Sequence, residues 1–173
     1  SKRYLNDNLY KSGKSIPFLT SDEPSWFSNG KIPYYIMDKD ITAVDYYVSQ
    51  YDGAISFTDE QIGVLLRKME ELGLENKTVI ILTSDHGEGM GEHNIYFTHG
   101  IYLYDEFIKV PLIIKYKRKF PIGETIKWQV GLIDIAPTVL SILKIKPKIN
   151  MEGIDLKPLI LKKINSFPRR NIF

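Results

Sequence analysis

All three histidines of this 173-residue chain fall in one stretch. His86, His93 and His99 lie within residues 78–100, TVIILTSDHGEGMGEHNIYFTHG, together with Asp85, Glu88 and Glu92. Imidazoles exchange protons near neutral pH, and imidazoles and carboxylates alike bind divalent cations. The stretch opens on an apolar run, Val79-Ile80-Ile81-Leu82, which is the pattern of a strand buried on both faces in a parallel sheet. It breaks at Ser84-Asp85-His86-Gly87, and Gly89, Gly91 and Gly100 follow. Such a sequence predicts a loop at the strand's carboxyl end, where open α/β sheets place their ligand sites.

Adjacent side chains on a strand point to opposite faces, so Asp85 and His86 converge only where the backbone turns. Gly87 removes a side chain that would crowd that turn. A carboxylate and an imidazole brought together suit zinc, manganese or, with enough oxygen donors, calcium. Two ligands do not complete a site, so the others must come from elsewhere. The bland alternative is an Asp–His hydrogen bond that closes the turn. His99 reads either as a donor to a developing oxyanion or leaving group, or as an imidazole bonded to loop backbone. His93 reads as structural, while Glu88 and Glu92 read as water-facing or as orienting groups behind the ligands.

The elements that must position this loop are legible in part. Residues 1–39 show little periodicity, and Pro17, Pro24 and Pro33 mark irregular chain. Trp26, Phe27, Tyr34 and Tyr35 either pin that segment to the body or line a cleft. Residues 40–72 predict an amphipathic helix, because Val44, Tyr47, Val48, Tyr51, Ile55, Ile62, Leu65, Leu66, Met69 and Leu72 recur at helical spacing. Asp40 is the expected N-cap, Gly73 the stop and Gly53 a candidate break. Asp45, Asp52 and Asp59 on one side of it read as a solvated face. A short helix is expected within residues 101–107, a second strand over 110–114 and a third over 128–132. A further helix is expected to be capped by Asp134 and to run to Leu143, with Pro137 in its first turn.

The ordered set Thr83-Ser84-Asp85-His86-Gly87-Glu88, Gly91-Glu92-His93, His99-Gly100, Leu103-Tyr104-Asp105-Glu106 and Val110-Pro111-Leu112-Ile113-Ile114 resembles the second half of a sulfatase catalytic domain, within the alkaline-phosphatase-like superfamily. The resemblance extends through residues 131–138 and 151–160. It implies an α/β fold, part of a three-layer sandwich in which helices flank a mainly parallel sheet. It further implies that Asp85 and His86 hold one divalent metal, with calcium favoured and manganese or zinc as alternatives; many relatives carry Asn in place of His86. His99 falls where relatives place a cation that contacts sulfate or phosphate oxygens, which makes it the catalytic and substrate-binding candidate. The implied reaction is hydrolysis of a sulfate ester. A phosphoester hydrolase or phosphotransferase is the runner-up, and a noncatalytic metal-binding module stands as a third reading.

The chain contains no cysteine, which excludes disulfides and thiolate metal sites and leaves the compartment undetermined. No apolar run approaches the roughly 18 residues of a membrane span. Residues 1–108 carry 9 Lys and Arg against 17 Asp and Glu, whereas residues 109–173 carry 14 against 4. The basic half reads as a solvated rim rather than a nucleic-acid surface, since no recognition motif accompanies it. In the family a Cys or Ser nucleophile sits in a C/S-x-P-x-R motif on the amino-terminal side. The one formal match here, residues 166–170, lies on the other side of the metal motif and is rejected. The expectation is one domain, with an irregular lead-in over 1–39, an α/β body over 40–163 and the start of a further strand over 164–173. Its expected partner is the remaining half of a catalytic domain.

Overall fold

The computed structural model describes residues 13–20, 23, 29–100, 102–164 and 167. The chain forms two compact units, one comprising Ser1–Leu74 with His86–Pro111, the other Glu75–Asp85 with Leu112–Phe173.

The first unit is built on helix α1, Val44–Glu71. The predicted helix exists, but it starts after Ala43 rather than at Asp40, and it runs through Gly53 without a break. The backbone around residue 43 is already engaged, since Val44 N–H donates to the Lys14 carbonyl at 3.0 Å and Ser15 bridges Ala43. The start is therefore set by tertiary pairing and not by a side-chain cap. The stop falls where expected: Gly73 takes φ 65°, and Leu74 N–H closes onto the Met69 carbonyl at 2.9 Å. Val44 and Tyr47 on the first turns pack with Ile16, Ile32, Tyr96 and Phe97 into one buried cluster. Further along, Ile55, Phe57, Leu65 and Leu72 stay exposed among the described residues. A short helix α2, Asp105–Ile108, buries Phe107 in the same unit. Trp26 and Phe27 lie outside the described residues.

The second unit contains strands β1, Ile80–Thr83, and β2, Leu112–Lys115, each shifted by a residue or two from the predicted runs. They pair antiparallel, with Ile81 opposite Ile114 and Leu82 opposite Ile113. The parallel arrangement expected from the apolar runs does not hold for this pair, nor are its strands buried on both faces. Along β2 burial alternates, and Ile113 is exposed. An antiparallel pair tolerates one open face, and a continuous apolar run does not reveal strand direction. Residues 128–132 form no strand; the chain there enters a 3-10 turn at Leu132–Asp134. The rest of the predicted strand at the carboxyl end falls largely outside the described residues.

Helix α3, Ile135–Leu143, begins as predicted after Asp134, but that carboxylate does not cap the helix. Asp134 is fully buried and accepts from Gly131 N–H at 2.9 Å and from Ile154 N–H at 2.7 Å. Thr138, also fully buried, accepts from Leu156 N–H at 2.8 Å and donates to the Asp134 carbonyl. These bonds fasten residues 154–156 to the helix, ahead of helix α4, Lys157–Ile160. Gly153 completes the seam, since a Cβ there would lie 2.0 Å from the Ile133 carbonyl oxygen.

Asp134→Asn keeps the shape but turns one acceptor into a donor facing a backbone N–H. It should cost about 2 kcal/mol of stability, the typical penalty for a buried donor left unmatched. Urea unfolding of the chain reads this directly, and a loss below about 0.5 kcal/mol would remove Asp134 from the role given it here.

Candidate active site

The loop after β1 is shaped by backbone pairing. Gly89 N–H donates to the Thr98 carbonyl at 3.1 Å, and Phe97 N–H donates to the Gly89 carbonyl at 2.6 Å. Met90 and Tyr96 form an antiparallel bridge just beyond. Residues 89–98 thus fold back on themselves, and the turn needs left-handed backbone at Gly91, His93 and Asn94. Ile95, Tyr96, Phe97 and Thr98 are buried, which anchors the returning arm in the unit's core. Two glycines let the loop lie close to α2. A Cβ on Gly87 would sit 1.9 Å from the Glu106 carbonyl oxygen, and one on Gly89 would touch the Phe107 ring at 3.0 Å. Gly87 N–H also donates to the Phe107 carbonyl at 2.8 Å.

The consequence is chemical. Pairing residue 89 with residue 98 sets Glu88 and His99 side by side at the base of the loop. The Glu88 carboxylate lies 3.2 Å from His99 Nδ1. The His86 ring stacks on His99 with centroids 3.8 Å apart and planes 20° apart. His86 Nδ1 lies 2.8 Å from the Gly87 carbonyl oxygen, which can only accept. In the neutral ring the proton therefore sits on Nδ1 and the lone pair on Nε2, the nitrogen a cation would take. Asp85 ends its own unit's first segment just past β1, and Ser84 Oγ lies 3.4 Å from its Oδ1.

Among the described residues no group of three or more His, Asp or Glu side chains is arranged to hold a metal. His93 is turned to other work, stacked on Tyr104 at 3.8 Å with its Nε2 3.2 Å from Glu106 Oε1. Glu92 accepts from Met90 N–H at 2.8 Å and so braces the turn. The buried oxygen Glu88 Oε1 has no hydrogen-bond partner among the described residues.

A profile of the family described as Sulfatase matches residues 7–145. The chain belongs to the sulfatase family. A sulfatase described as an "Ulvan-active sulfatase", from Formosa agariphila, is 40% identical over 60% of this chain and 20% of its own length. The "N-acetylglucosamine-6-O-sulfatase" of Bacteroides thetaiotaomicron is 32% identical over 66% of this chain and 20% of its own length. A solved structure in complex with its substrate D-glucosamine-2-N,6-O-disulfate superposes with a TM-score of 0.59 at 32% identity, covering 68% of this chain and 23% of that one. The sulfatase chain described here thus spans about a fifth of the length of these relatives. The α/β, alkaline-phosphatase-like fold inferred from the sequence is the fold of these neighbours.

Tyr35, which the sequence offered as a cleft-lining candidate, borders a cavity together with Tyr46 and Tyr51, which it did not; the cavity also takes in Asp38, Glu88 and His99. The helical spacing of Tyr47 and Tyr51 suggested packing alone. One signal was available: five of the 11 tyrosines lie between residues 34 and 51.

Gly87→Ala should break the approach of the loop to α2, because the clash is with backbone and no side-chain rotation relieves it. The expected loss is roughly 1–3 kcal/mol, as for other overpacked sites. Faster hydrogen exchange at the residue 87 and 89 amides would report it, and unchanged protection there would contradict this account.

Proposed function

We propose that this chain supplies the carboxyl-terminal part of the catalytic domain of a metal-dependent sulfuric ester hydrolase. The observation that carries the reading is the Glu88–His99 pair at the loop base with His86 stacked against it, inside the stretch that matches the sulfatase family. Asp85 and His86 are the proposed metal ligands, the latter supported by its Nδ1 contact with the Gly87 carbonyl. Calcium is the favoured cation, with manganese or zinc as alternatives. A bound cation would polarise the sulfate oxygens and neutralise charge on the ester. His99 is proposed as the group that donates to a sulfuryl oxygen or to the departing alcohol oxygen, with Glu88 fixing the ring so that its Nε2 end addresses the ester.

The nucleophile is proposed to lie in the remaining half of the domain, so the chain alone would not turn over substrate. Two features support this reading. The chain spans about a fifth of the relatives' length, and on the distal part of α1 Ile55, Leu65 and Leu72 are exposed while Ile62, Leu66 and Met69 are only half-buried. Apolar side chains at helical spacing ordinarily lie against another element.

The test uses the complete protein that carries this chain, assayed on a sulfate ester and on the matching phosphate ester. His99→Ala should lower kcat on the sulfate ester by roughly 10²–10⁴-fold while the bound metal stays at its wild-type stoichiometry. His86→Ala should lose metal and activity together. Full activity in both variants, or a preference for the phosphate ester, would refute the proposal.

A further inference from the structure

The returning arm of the loop after β1 carries one residue more than regular pairing allows. Met90 bridges Tyr96 in antiparallel fashion. Continued residue by residue, that register would set Gly89 opposite Phe97 and Glu88 opposite Thr98. The bonds run otherwise: the Gly89 carbonyl accepts from Phe97 N–H at 2.6 Å, while Gly89 N–H donates to the Thr98 carbonyl at 3.1 Å. Phe97 and Thr98 together oppose one glycine, which is the pattern of a β-bulge. Beyond the bulge the register has moved by one residue. The partner of Glu88 is therefore His99, whose Nδ1 lies 3.2 Å from the carboxylate.

A bulge whose first residue is left-handed ordinarily has glycine there, because no Cβ resists that backbone. In this chain the position is held by phenylalanine at φ 52°. Two contacts keep it there. The Phe97 ring is buried in the first unit's core, with its centroid 5.4 Å from that of Tyr47 on α1. The Phe97 carbonyl accepts from the Tyr35 hydroxyl at 3.1 Å, and Tyr35 belongs to the 3-10 turn Tyr34–Ile36. Side chain and carbonyl are thus pinned by two separate elements of the same unit.

We infer that Phe97 and Tyr35 are positioning residues: the left-handed bulge at Phe97 delivers His99, in the role proposed for it above, to Glu88, and the Tyr35 hydroxyl holds that bulge in place. Both act through the backbone of the returning arm. Without the bulge Thr98 would stand opposite Glu88, and the imidazole would turn to the other face of the pair, since a slip of one residue exchanges the two faces.

The test uses the complete protein and a pair of isomeric replacements. Phe97→Leu and Phe97→Ile remove the same ring and leave the same volume, but branching at Cβ makes left-handed backbone much harder for isoleucine. The His99 ring is read by NMR in protein labelled at the histidine nitrogens, with Glu88→Gln marking the signal of a ring that has lost its carboxylate. Phe97→Ile should move the His99 signal toward that reference and lower kcat by on the order of tenfold relative to Phe97→Leu, with KM nearly unchanged. Tyr35→Phe, which removes one hydroxyl and no core volume, should move the signal the same way and lower kcat by roughly two- to tenfold. A packing role alone would make the leucine and isoleucine variants alike. Identical His99 signals in those two overturn the inference. So does a wild-type signal in Tyr35→Phe, a result that decides the matter even where the Phe97 variants do not fold. The expected signals in a protein that does not turn over sulfate esters would instead overturn the proposed hydrolase and leave the positioning of His99 standing.

Discussion

The backbone pair between Gly89 and Thr98 is the constraint on which the site depends. Without it, Glu88 and His99 would be eleven residues apart on a glycine-rich loop and would meet only by chance. With it, carboxylate and imidazole face each other at the loop base, and His86 falls against the same ring. The pairing is held from two sides. Ile95, Tyr96 and Phe97 drive the returning arm into the first unit's core, and the bare backbone of Gly87 and Gly89 admits α2 at distances no side chain would allow. Left-handed φ at Phe97 (52°) and His93 (54°) shows that ordinary residues are held there in a conformation of a kind that costs on the order of 1 kcal/mol or more each. Buried apolar surface offsets that cost locally, because the three large side chains of Ile95, Tyr96 and Phe97 leave water at this one turn.

Much of this could be read from residues alone, and the limits have physical causes. Asp85, His86 and His99 stood out because their types are chemical and their neighbours are glycines. Helix α1 and its stop at Gly73 followed from spacing and from the αL preference of glycine. Strand direction did not, since Val79–Leu82 has the same apolar pattern whether its partner runs parallel or antiparallel. The role of Asp134 was misassigned because an aspartate before a helix and an aspartate that fastens a distant loop look identical in sequence. Only the fold shows that its bonds go to Gly131 and Ile154. The contact of Glu88 with His99 required knowing which glycine pairs across the loop, which is a property of register and not of composition.

Charge completes the physical picture. The first unit carries 9 Lys and Arg against 15 Asp and Glu, and the second carries 14 against 6. A sulfate ester is an anion, so the unit that holds His99 is the one whose overall field opposes it. At physiological salt the screening length is about 8 Å, so charges beyond the site itself contribute little to binding. What matters is the handful of groups within that distance. Around the cavity beside His99 those groups are the carboxylates of Asp38 and Glu88 and the imidazole of His99 itself.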